Sequence, residues 1–320
     1  MGSKELVRPP RLVPGSRVGL IAPAGPLLEL DDLARGQELC RALDYQPVLL
    51  PGAGARHGYL AGSDEQRLAD LNSALADPSL DAIWCLRGGY GMTRILDGVD
   101  FDALAARPRP FIGYSDITAF LNAAWQHTGI VTFHGPMARS PLTPFSRTHH
   151  HRVLTVSAPA GALGRLPPPP GVLVPKQHRI VALRTGVAEG PLVGGNLTLM
   201  QCLLGTRHFP DLDGAILFLE DVHEELYRVD RMLAHLRMAG ALDRLAGVAV
   251  GQFTELERRG ADGALGFDEV LATYFLPLGV PVAYGFPIGH VDDQWTIPIG
   301  VRARLDAGAG QLELLEAAVI

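Results

Sequence analysis

The amino-terminal half of the chain alternates short apolar segments with helical ones, and this alternation restricts the possible fold more than any other feature. The apolar segments are flanked by proline, glycine or aspartate and predict strands at 17–23, 47–51 and 81–86. The segments between them predict helices at about 31–43 and 63–77, the second opening on a capping box, Ser-Asp-Glu-Gln. Strands and helices that alternate at this pace predict βαβ units and a parallel, Rossmann-like sheet.

The second half of the chain predicts a smaller α/β domain with a mainly β core. Its predicted elements are strands at 214–219, 247–251 and 280–284 and helices near 196–204 and 225–239. Four consecutive prolines at 167–170, with glycines nearby on both sides, predict a stiff connector before this domain. We therefore expect an amino-terminal domain over residues 1–158, a connector over 159–178 and a carboxy-terminal domain over 179–320.

The overall composition is that of an ordinary globular protein and argues against several classes of partner. The net charge is −6 and basic runs interleaved with aromatic residues are absent, so no nucleic-acid partner is expected. No apolar run approaches the ~20 residues of a membrane span, and the amino end lacks the apolar core of a signal peptide, so we expect a cytoplasmic protein without membrane contact.

Cys40, Cys85 and Cys202 are widely spaced and predict buried thiols rather than disulfides or a zinc site. Neither lysine, Lys4 or Lys176, is placed for a Ser-Lys dyad, a Schiff base or a P-loop.

Ser115 lies at a predicted corner between a short apolar strand and a helix, where a serine nucleophile can work. Apolar residues recur at helical spacing from Ile117 to Trp125, which predicts that one face of this helix packs on a core. The helix would start at the serine, so that unpaired backbone N–H groups there could receive an oxyanion. Ser and Asp are also favoured N-cap residues, so the corner alone equally fits a structural role. The segment Gly113-Tyr-Ser-Asp-Ile117 matches the nucleophile elbow G-x-S-x-G only in part, because the second glycine is missing.

A glycine-rich turn, Arg87-Gly-Gly-Tyr-Gly91, follows the strand predicted at 81–86. Glycine permits a positive φ or a close backbone approach, so a tight structural turn is one interpretation. The other is that backbone N–H groups of Gly88 or Gly89 face Ser115, because adjacent parallel strands place ligand sites at their carboxyl ends. Two such N–H groups would make an oxyanion hole. The spacing is not G-x-G-x-x-G, so the turn does not predict a dinucleotide site.

A serine hydroxyl needs a neighbouring base, and the base needs a third group that holds its tautomer. Glu220 ends an apolar strand, a position that would fix a carboxylate, although a solvated strand end is the alternative. Two histidines compete as the base, and spacing does not decide between them: His290, in a loop after the strand at 280–284, and His134, after another strand candidate. The consecutive histidines at 149–151 diverge in direction and do not predict a metal site. We expect no metal and no cofactor.

Nine short motifs are spread over nearly the whole chain, and their order and spacing are more specific than any one of them. The motifs are Ala22-Pro-Ala-Gly25, Gly58-Tyr-Leu-Ala-Gly62, Arg87-Gly-Gly-Tyr-Gly91, Gly113-Tyr-Ser-Asp116, His134-Gly-Pro136, Gly194-Gly-Asn-Leu197, Leu219-Glu-Asp221, Tyr227-Arg-Val-Asp-Arg-Met-Leu233 and Gly289-His290. Together they resemble the serine-type L,D-carboxypeptidase family, which includes muramoyltetrapeptide carboxypeptidases and microcin C self-immunity peptidases.

The resemblance implies a two-domain enzyme whose nucleophile lies in the amino-terminal domain and whose acid and base lie in the other. The matching positions are Ser115 as nucleophile, Glu220 as the orienting carboxylate and His290, in preference to the other candidate, as the base. The backbone N–H groups of Asp116 and Gly89 are the implied oxyanion hole. The implied activity is release of terminal D-alanine from cytoplasmic murein tetrapeptides during wall recycling, and the implied assembly is a homodimer.

Two alternatives to a wall-peptide enzyme remain open. A microcin C-type immunity peptidase would hydrolyse a peptidyl or aminoacyl nucleotide with the same three residues, and an aromatic side chain in its pocket loop could stack on the nucleobase. The sequence has no Trp, Tyr or Phe between Phe145 and Val181, which favours the wall peptide. The other alternative is a catalytically silent ligand-binding protein, and the presence of all three triad residue types argues against it.

Overall fold

Two sheets with packed helices make up the structure. The computed structural model describes residues 5–166, 179–256 and 265–320. The proline run at 167–170 and most of the predicted connector lie outside the described residues. The predicted fold class is confirmed: a parallel-sheet, Rossmann-like domain is followed by an α/β domain with a mainly β core.

Each predicted strand and helix corresponds to an observed element whose ends differ by a few residues. In the described residues the strands are β1 (Arg17–Ile21), β2 (Gln46–Leu49), β3 (Ala82–Cys85), β4 (Phe111–Gly113), β5 (Thr132–His134), β6 (Gly161–Ala162), β7 (Val181–Arg184), β8 (Val187–Asn196), β9 (Ile216–Val222), β10 (Gly247–Thr254), β11 (Val282–Tyr284), β12 (Ile297–Ile299), β13 (Arg302–Asp306) and β14 (Gln311–Leu314). The helices there are α1 (Asp32–Ala42), α2 (Asp64–Ala76), α3 (Met92–Ile95), α4 (Phe101–Ala106), α5 (Thr118–Thr128), α6 (Pro144–Leu154), α7 (Leu197–Leu203), α8 (Leu226–Met238) and α9 (Phe267–Phe275).

The first sheet has the strand order β12-β5-β4-β3-β1-β2. Strands β1 to β5 are parallel, whereas β12 comes from the second half of the chain and pairs antiparallel with β5. Strands β3 and β4 are buried along their whole length, as expected for parallel strands covered on both faces. The carboxyl ends of β3, β4 and β5 lie side by side at the same end of the sheet. There Gly113, the last residue of β4, pairs in register with His134, the last residue of β5.

The second sheet has the order β6-β14-β13-β8-β9-β10-β11-β7. Its centre, from β8 to β11, is parallel, and the outer strands pair antiparallel. The register places Asn196, the last residue of β8, beside Glu220 of β9. Both sheets therefore present the carboxyl ends of parallel strands, the usual position of a ligand site in an α/β protein.

Helix α5 is more deeply buried than its sequence pattern predicts. The predicted apolar face is buried, but Thr118 and Asn122, on the polar side, are also fully buried. The reason is contact with the second sheet: Thr118 Oγ1 accepts a hydrogen bond from the Asn196 N–H at 3.1 Å, and Asn122 Nδ2 donates to the Gly194 carbonyl at 2.9 Å. The helix that follows the serine corner thus packs between the two sheets.

The prediction of three buried thiols is wrong at one position. Cys40 and Cys85 are buried, whereas Cys202 is exposed. Helix α7 buries Leu197, Met200 and Leu203, which lie three residues apart on one face, so residue 202 points away from that face. All three cysteines are free.

Candidate active site

Ser115 occupies a sharp corner between β4 and α5. Its φ is +60°, a left-handed conformation that L residues other than Asn and Asp rarely adopt. It opens a 3-10 turn, Ser115–Ile117, which continues into α5 at Thr118, so the α-helix starts three residues later than predicted. A Cβ on Gly113 would lie 2.9 Å from Ile117 Cγ2, so the tightness of the corner requires glycine there. Strained residues of this kind cluster at functional sites, which supports a catalytic role for Ser115.

Asp116 connects the serine corner to the glycine-rich turn. Its buried carboxylate accepts a hydrogen bond from the Met92 N–H at 2.7 Å, just beyond that turn. Burial raises the pKa of Asp116 to about 6, and the Met92 hydrogen bond opposes this rise. The side chain therefore holds two loops together, while the Asp116 N–H stays on the side of the corner that faces Gly88.

Gly88 lies directly against the predicted nucleophile. A Cβ built on Gly88 would be 2.9 Å from Ser115 Cβ and 3.2 Å from its Oγ. The Gly88 carbonyl accepts a hydrogen bond from the Gly25 N–H at 2.8 Å. Because the carbonyl and N–H of a trans peptide point in opposite directions, the Gly89 N–H points away from Gly25. Gly89 itself has a φ of +98°, so glycine is needed in the turn.

Glu220 and His290 form a hydrogen-bonded pair in the second sheet. Glu220 is fully buried in β9, and its Oε2 lies 2.8 Å from His290 Nδ1. Gly289 has a φ of +110°, and a Cβ there would lie 2.5 Å from Glu220 Oε2, so the backbone passes against the carboxylate. Since Nδ1 is held by Glu220, Nε2 is the nitrogen available to a nucleophile.

The charge of Glu220 changes the proton affinity of His290. Burial lowers the pKa of the imidazole, but the hydrogen bond and the negative charge of Glu220 outweigh it, so the pKa of His290 is raised above 6.5. A base of this kind binds the serine proton more strongly than an unpaired histidine would. The pairing therefore suits general-base catalysis near neutral pH.

His134, the competing candidate, lies in a different environment. Its ring is fully buried, and neither ring nitrogen has a hydrogen-bond partner among the described residues. Burial lowers its pKa to about 3. The ring of Tyr114, the residue before Ser115, lies 4.8 Å from that of His290 and 5.9 Å from that of His134. His290 is thus both the histidine held by a carboxylate and the one whose ring lies closer to the Tyr114 ring.

Two residues of the site, Tyr114 and Asp221, were given no role by sequence reasoning. Asp221 is buried beside Glu220 and accepts hydrogen bonds from Asn196 Nδ2 at 2.9 Å and from the Thr198 N–H at 3.0 Å. These bonds fix the end of β9 to the start of α7 and so hold Glu220 in place. The motifs Leu219-Glu-Asp and Gly194-Gly-Asn contain these residues, but only the folded chain reveals that they are bonded to each other.

The described residues contain neither a cluster of potential metal ligands nor a membrane-spanning helix. No group of three or more His, Cys, Asp or Glu side chains there could hold a metal ion. In the same part of the chain, every helix is too short or too polar to span a membrane.

The two-domain α/β fold, with a serine corner at the end of one sheet and a hydrogen-bonded Glu–His pair in the other, is typical of the serine hydrolase class. Sequence comparison specifies the family. Residues 18–135 match the LD-carboxypeptidase N-terminal domain, and residues 189–305 match the LD-carboxypeptidase C-terminal domain. The chain therefore belongs to the LD-carboxypeptidase family and is a serine-type carboxypeptidase.

Individual relatives agree with this assignment. The murein tetrapeptide carboxypeptidase of Pseudomonas aeruginosa is 36% identical over 91% of this chain and 93% of its own length. Among solved structures, the muramoyltetrapeptide carboxypeptidase from Oxalobacter formigenes is 32% identical, with a TM-score of 0.79 over 93% of this chain and 98% of that one. The microcin C7 self-immunity protein MccF in complex with glutamyl sulfamoyl guanosine is 25% identical, with a TM-score of 0.87 over 98% of this chain and 99% of that one.

Proposed function

We propose that this carboxypeptidase releases terminal D-alanine from murein tetrapeptides in the cytoplasm, during recycling of the cell wall. The observation that carries the proposal is the 2.8 Å bond between Glu220 and His290, next to the tyrosine that precedes Ser115. The relative in Pseudomonas aeruginosa, named a murein tetrapeptide carboxypeptidase, supports the substrate. No metal or cofactor takes part in the proposed reaction, and the proposed assembly is a homodimer.

The first half of the reaction is acylation of the serine. His290 Nε2 takes the Ser115 proton, and the Oγ attacks the carbonyl carbon of the scissile bond between the L-centre of diaminopimelate and D-alanine. The resulting oxyanion accepts hydrogen bonds from the backbone N–H groups of Gly89 and Asp116. When the C–N bond breaks, the imidazolium returns the proton to the amine of D-alanine, which leaves. Glu220 holds the histidine tautomer and stabilises its charge.

Water completes the cycle by deacylation. His290 takes a proton from water, the hydroxide attacks the acyl-serine carbonyl, and collapse of the second oxyanion returns the proton to Ser115 Oγ. The products are the tripeptide and D-alanine, and the enzyme is regenerated. Both steps use the same histidine and the same oxyanion hole.

Variants of the three residues test the assignment. Ser115→Ala should lower kcat for tetrapeptide hydrolysis by at least ~1,000-fold without unfolding the protein, because triad members act as a unit. His290→Ala should be similarly inactive, whereas His134→Ala, the matched control, should lose much less activity. Near-normal turnover by Ser115→Ala would refute the nucleophile, and a more severe effect of His134→Ala would exchange the two histidines.

A microcin-type immunity activity is the second candidate, favoured by the TM-score of 0.87 to MccF. Stacking on a nucleobase is commonly provided by aromatic side chains, and the sequence has none between Phe145 and Val181. Incubation of the pure protein with murein tetrapeptide and, separately, with an aminoacyl sulfamoyl or processed microcin adenylate distinguishes the two. Turnover of the adenylate alone would replace the wall-peptide proposal, and specific binding of tetrapeptide without turnover would indicate a silent homologue.

A further inference from the structure

Arg139 lies at the same sheet edge as the serine corner. The segment that leads to it crosses the carboxyl ends of two strands: the Gly135 N–H donates to the Gly113 carbonyl at 3.1 Å, and the Ala138 N–H donates to the Cys85 carbonyl at 2.9 Å. The first bond is at the end of β4, two residues before Ser115. The second is at the end of β3, just before the glycine-rich turn. This path places the Arg139 backbone beside both loops of the predicted oxyanion hole.

The guanidinium of Arg139 is only weakly neutralised by its neighbours. The nearest carboxylate is Asp32, whose Oδ1 lies 3.4 Å from Arg139 Nη1. Asp32 is fully buried and is already bonded to Arg35 and to the N–H groups of Leu28 and Glu29. Arg139 Nε is buried and has no hydrogen-bond partner in the described part of the chain. The side chain is 28% exposed, so its remaining donors can reach a ligand.

The surroundings of Arg139 carry an excess of positive charge. Burial lowers the pKa of Arg87, and the nearby charge of Arg139 lowers it further, so the two guanidinium groups lie within electrostatic reach of each other. The Arg87 guanidinium donates to the Pro26 carbonyl, which leaves its charge without a bonded carboxylate. Two arginines thus share a region with the buried carboxylate of Asp32, which acts on both of them and is already paired with Arg35.

The field of Arg139 extends to the catalytic cleft. Burial and the negative charge of Glu220 raise the pKa of Tyr114 to about 12, and Arg139 acts in the opposite direction. Tyr114 contacts the His290 ring at 4.8 Å. Arg139 is therefore close enough to influence the residue that precedes Ser115 and contacts the His290 ring.

A carboxypeptidase must recognise a free carboxylate one residue beyond the bond it cuts. The buried charge of Glu220 lies in the same site, so a cation would favour binding of that carboxylate. A planar guanidinium with free donors suits a carboxylate because it can bind both oxygens at once. We propose that Arg139 binds the carboxyl-terminal carboxylate of the peptide, with Asp32 as a positioning residue that holds the guanidinium at the sheet edge. This inference rests on the proposed function and names the group that makes the enzyme a carboxypeptidase.

The experiment compares murein tetrapeptide with its carboxyl-terminal amide as substrates. The wild-type enzyme should prefer the free acid in kcat/KM by about 10- to 100-fold, the range expected for a charge-assisted hydrogen bond. Arg139→Gln should lose this preference, because its rate on the acid falls while its rate on the amide stays nearly unchanged. Arg35→Gln is the matched control, because it also removes a positive charge that contacts Asp32. Unlike Arg139, Arg35 is paired with Glu29 and Asp31 as well, so its charge is neutralised by its neighbours. It should keep the preference for the acid.

The outcomes separate this inference from the activity on which it rests. Hydrolysis of neither peptide by the wild-type enzyme would refute the proposed function and the Arg139 assignment with it. Hydrolysis with an unchanged acid preference in Arg139→Gln, or the same loss in Arg35→Gln, would refute the assignment alone. If Arg139→Gln does not fold, Arg139→Lys decides: its ammonium cannot bind both oxygens at once, so the preference for the acid should fall, and a folded Arg139→Lys with the full wild-type preference would overturn the proposal.

Discussion

The proposed catalytic roles fall on three residues that lie far apart in the chain. Ser115 has a strained backbone, and His290 Nδ1 lies 2.8 Å from Glu220 Oε2, whose charge raises the pKa of the imidazole. Position after a strand did not decide between His290 and His134, and only the family resemblance favoured His290. Folding separates them, since the ring with a carboxylate partner has a raised pKa and the buried ring without one has a lowered pKa.

The raised pKa of His290 predicts the pH dependence of activity. A base must be neutral to accept a proton, so kcat/KM should fall as the pH drops through the pKa of His290, with a midpoint above 6.5. Glu220→Gln removes the charge that raises this pKa most and leaves the burial that lowers it, although the charges of Asp221 and Glu255 remain. Its midpoint should therefore move to lower pH, and its maximal rate should fall. The check is a pH–rate profile of tetrapeptide hydrolysis for each protein.

Glu255→Gln is the control for this shift, because it makes the same chemical change at a charge that contributes least to the His290 pKa. Its acid limb should stay close to that of the wild-type enzyme. An unchanged midpoint in Glu220→Gln would show that another group titrates in the acid limb.

At the level of elements, the site depends on glycines that let one backbone segment pass another. The loop after β11 approaches β9 so closely that residue 289 has no space for a side chain beside Glu220. The serine corner and the glycine-rich turn show the same kind of approach, between Gly88 and Ser115. Each catalytic side chain is thus positioned by a neighbouring backbone as well as by its own strand or helix.

Gly289→Ala should lower kcat/KM by about 100-fold, because the new methyl group displaces Glu220 from His290 and small misplacements of catalytic groups are costly. The control is Gly279→Ala. Gly279 has a φ of +73° but no atom within 4 Å of the position of a Cβ, so this change strains the backbone without a contact. It should cost about 1 kcal/mol of stability and little activity. Urea unfolding and tetrapeptide kinetics on both variants test the pair; equal losses of activity would contradict the argument.

Element types were largely predictable from the sequence, but contacts between elements were not. The capping box of α2 is confirmed, with the Gln66 N–H donating to Ser63 Oγ at 3.2 Å, because a cap depends on neighbours three residues away. The sequence pattern predicted one buried face of α5 but could not predict burial of its polar face, because the partner of that face, the Gly194–Asn196 segment, lies more than seventy residues further along the chain. The three triad residues were likewise predicted from the family resemblance and not from the pattern of the sequence. Periodicity predicts strands and helices, but it does not show which strand ends lie next to each other.

For the whole molecule, the cleft exists only while the two sheets keep their relative position. The described contacts that hold it include Thr118 and Asn122 of α5, which bond the backbone of residues 194–196. On one side of this interface, Thr118 is the first residue of the helix that follows the serine corner. On the other side, Asn196 pairs in register with Glu220. We therefore expect this interface to control the spacing between the proposed nucleophile and the proposed base.

Gly195→Ala should disturb that spacing. A Cβ on Gly195 would lie 2.7 Å from Thr118 Oγ1, at a φ of +139°, so Thr118 or the Gly194–Asn196 segment must shift to accept it. We expect kcat/KM to fall by at least about 10-fold. Gly186→Ala is matched, with a φ of +140° and a contact at 2.9 Å to Pro281, but it lies away from the interface. It should lose comparable stability and keep its activity; the reverse pattern in thermal unfolding and kinetics would contradict this role for the interface.

Strand β12 has a consequence for how the protein is made on the ribosome. It completes the first sheet by covering the edge of β5, yet it consists of residues Ile297–Ile299, far along the chain from Thr132–His134. During translation the nascent amino-terminal half must wait with an open strand edge until residues 297–299 have been synthesised. His290, the proposed base, is translated only seven residues earlier than Ile297. A chain that stops before these residues would therefore lack the proposed base, and its open strand edge would expose it to aggregation.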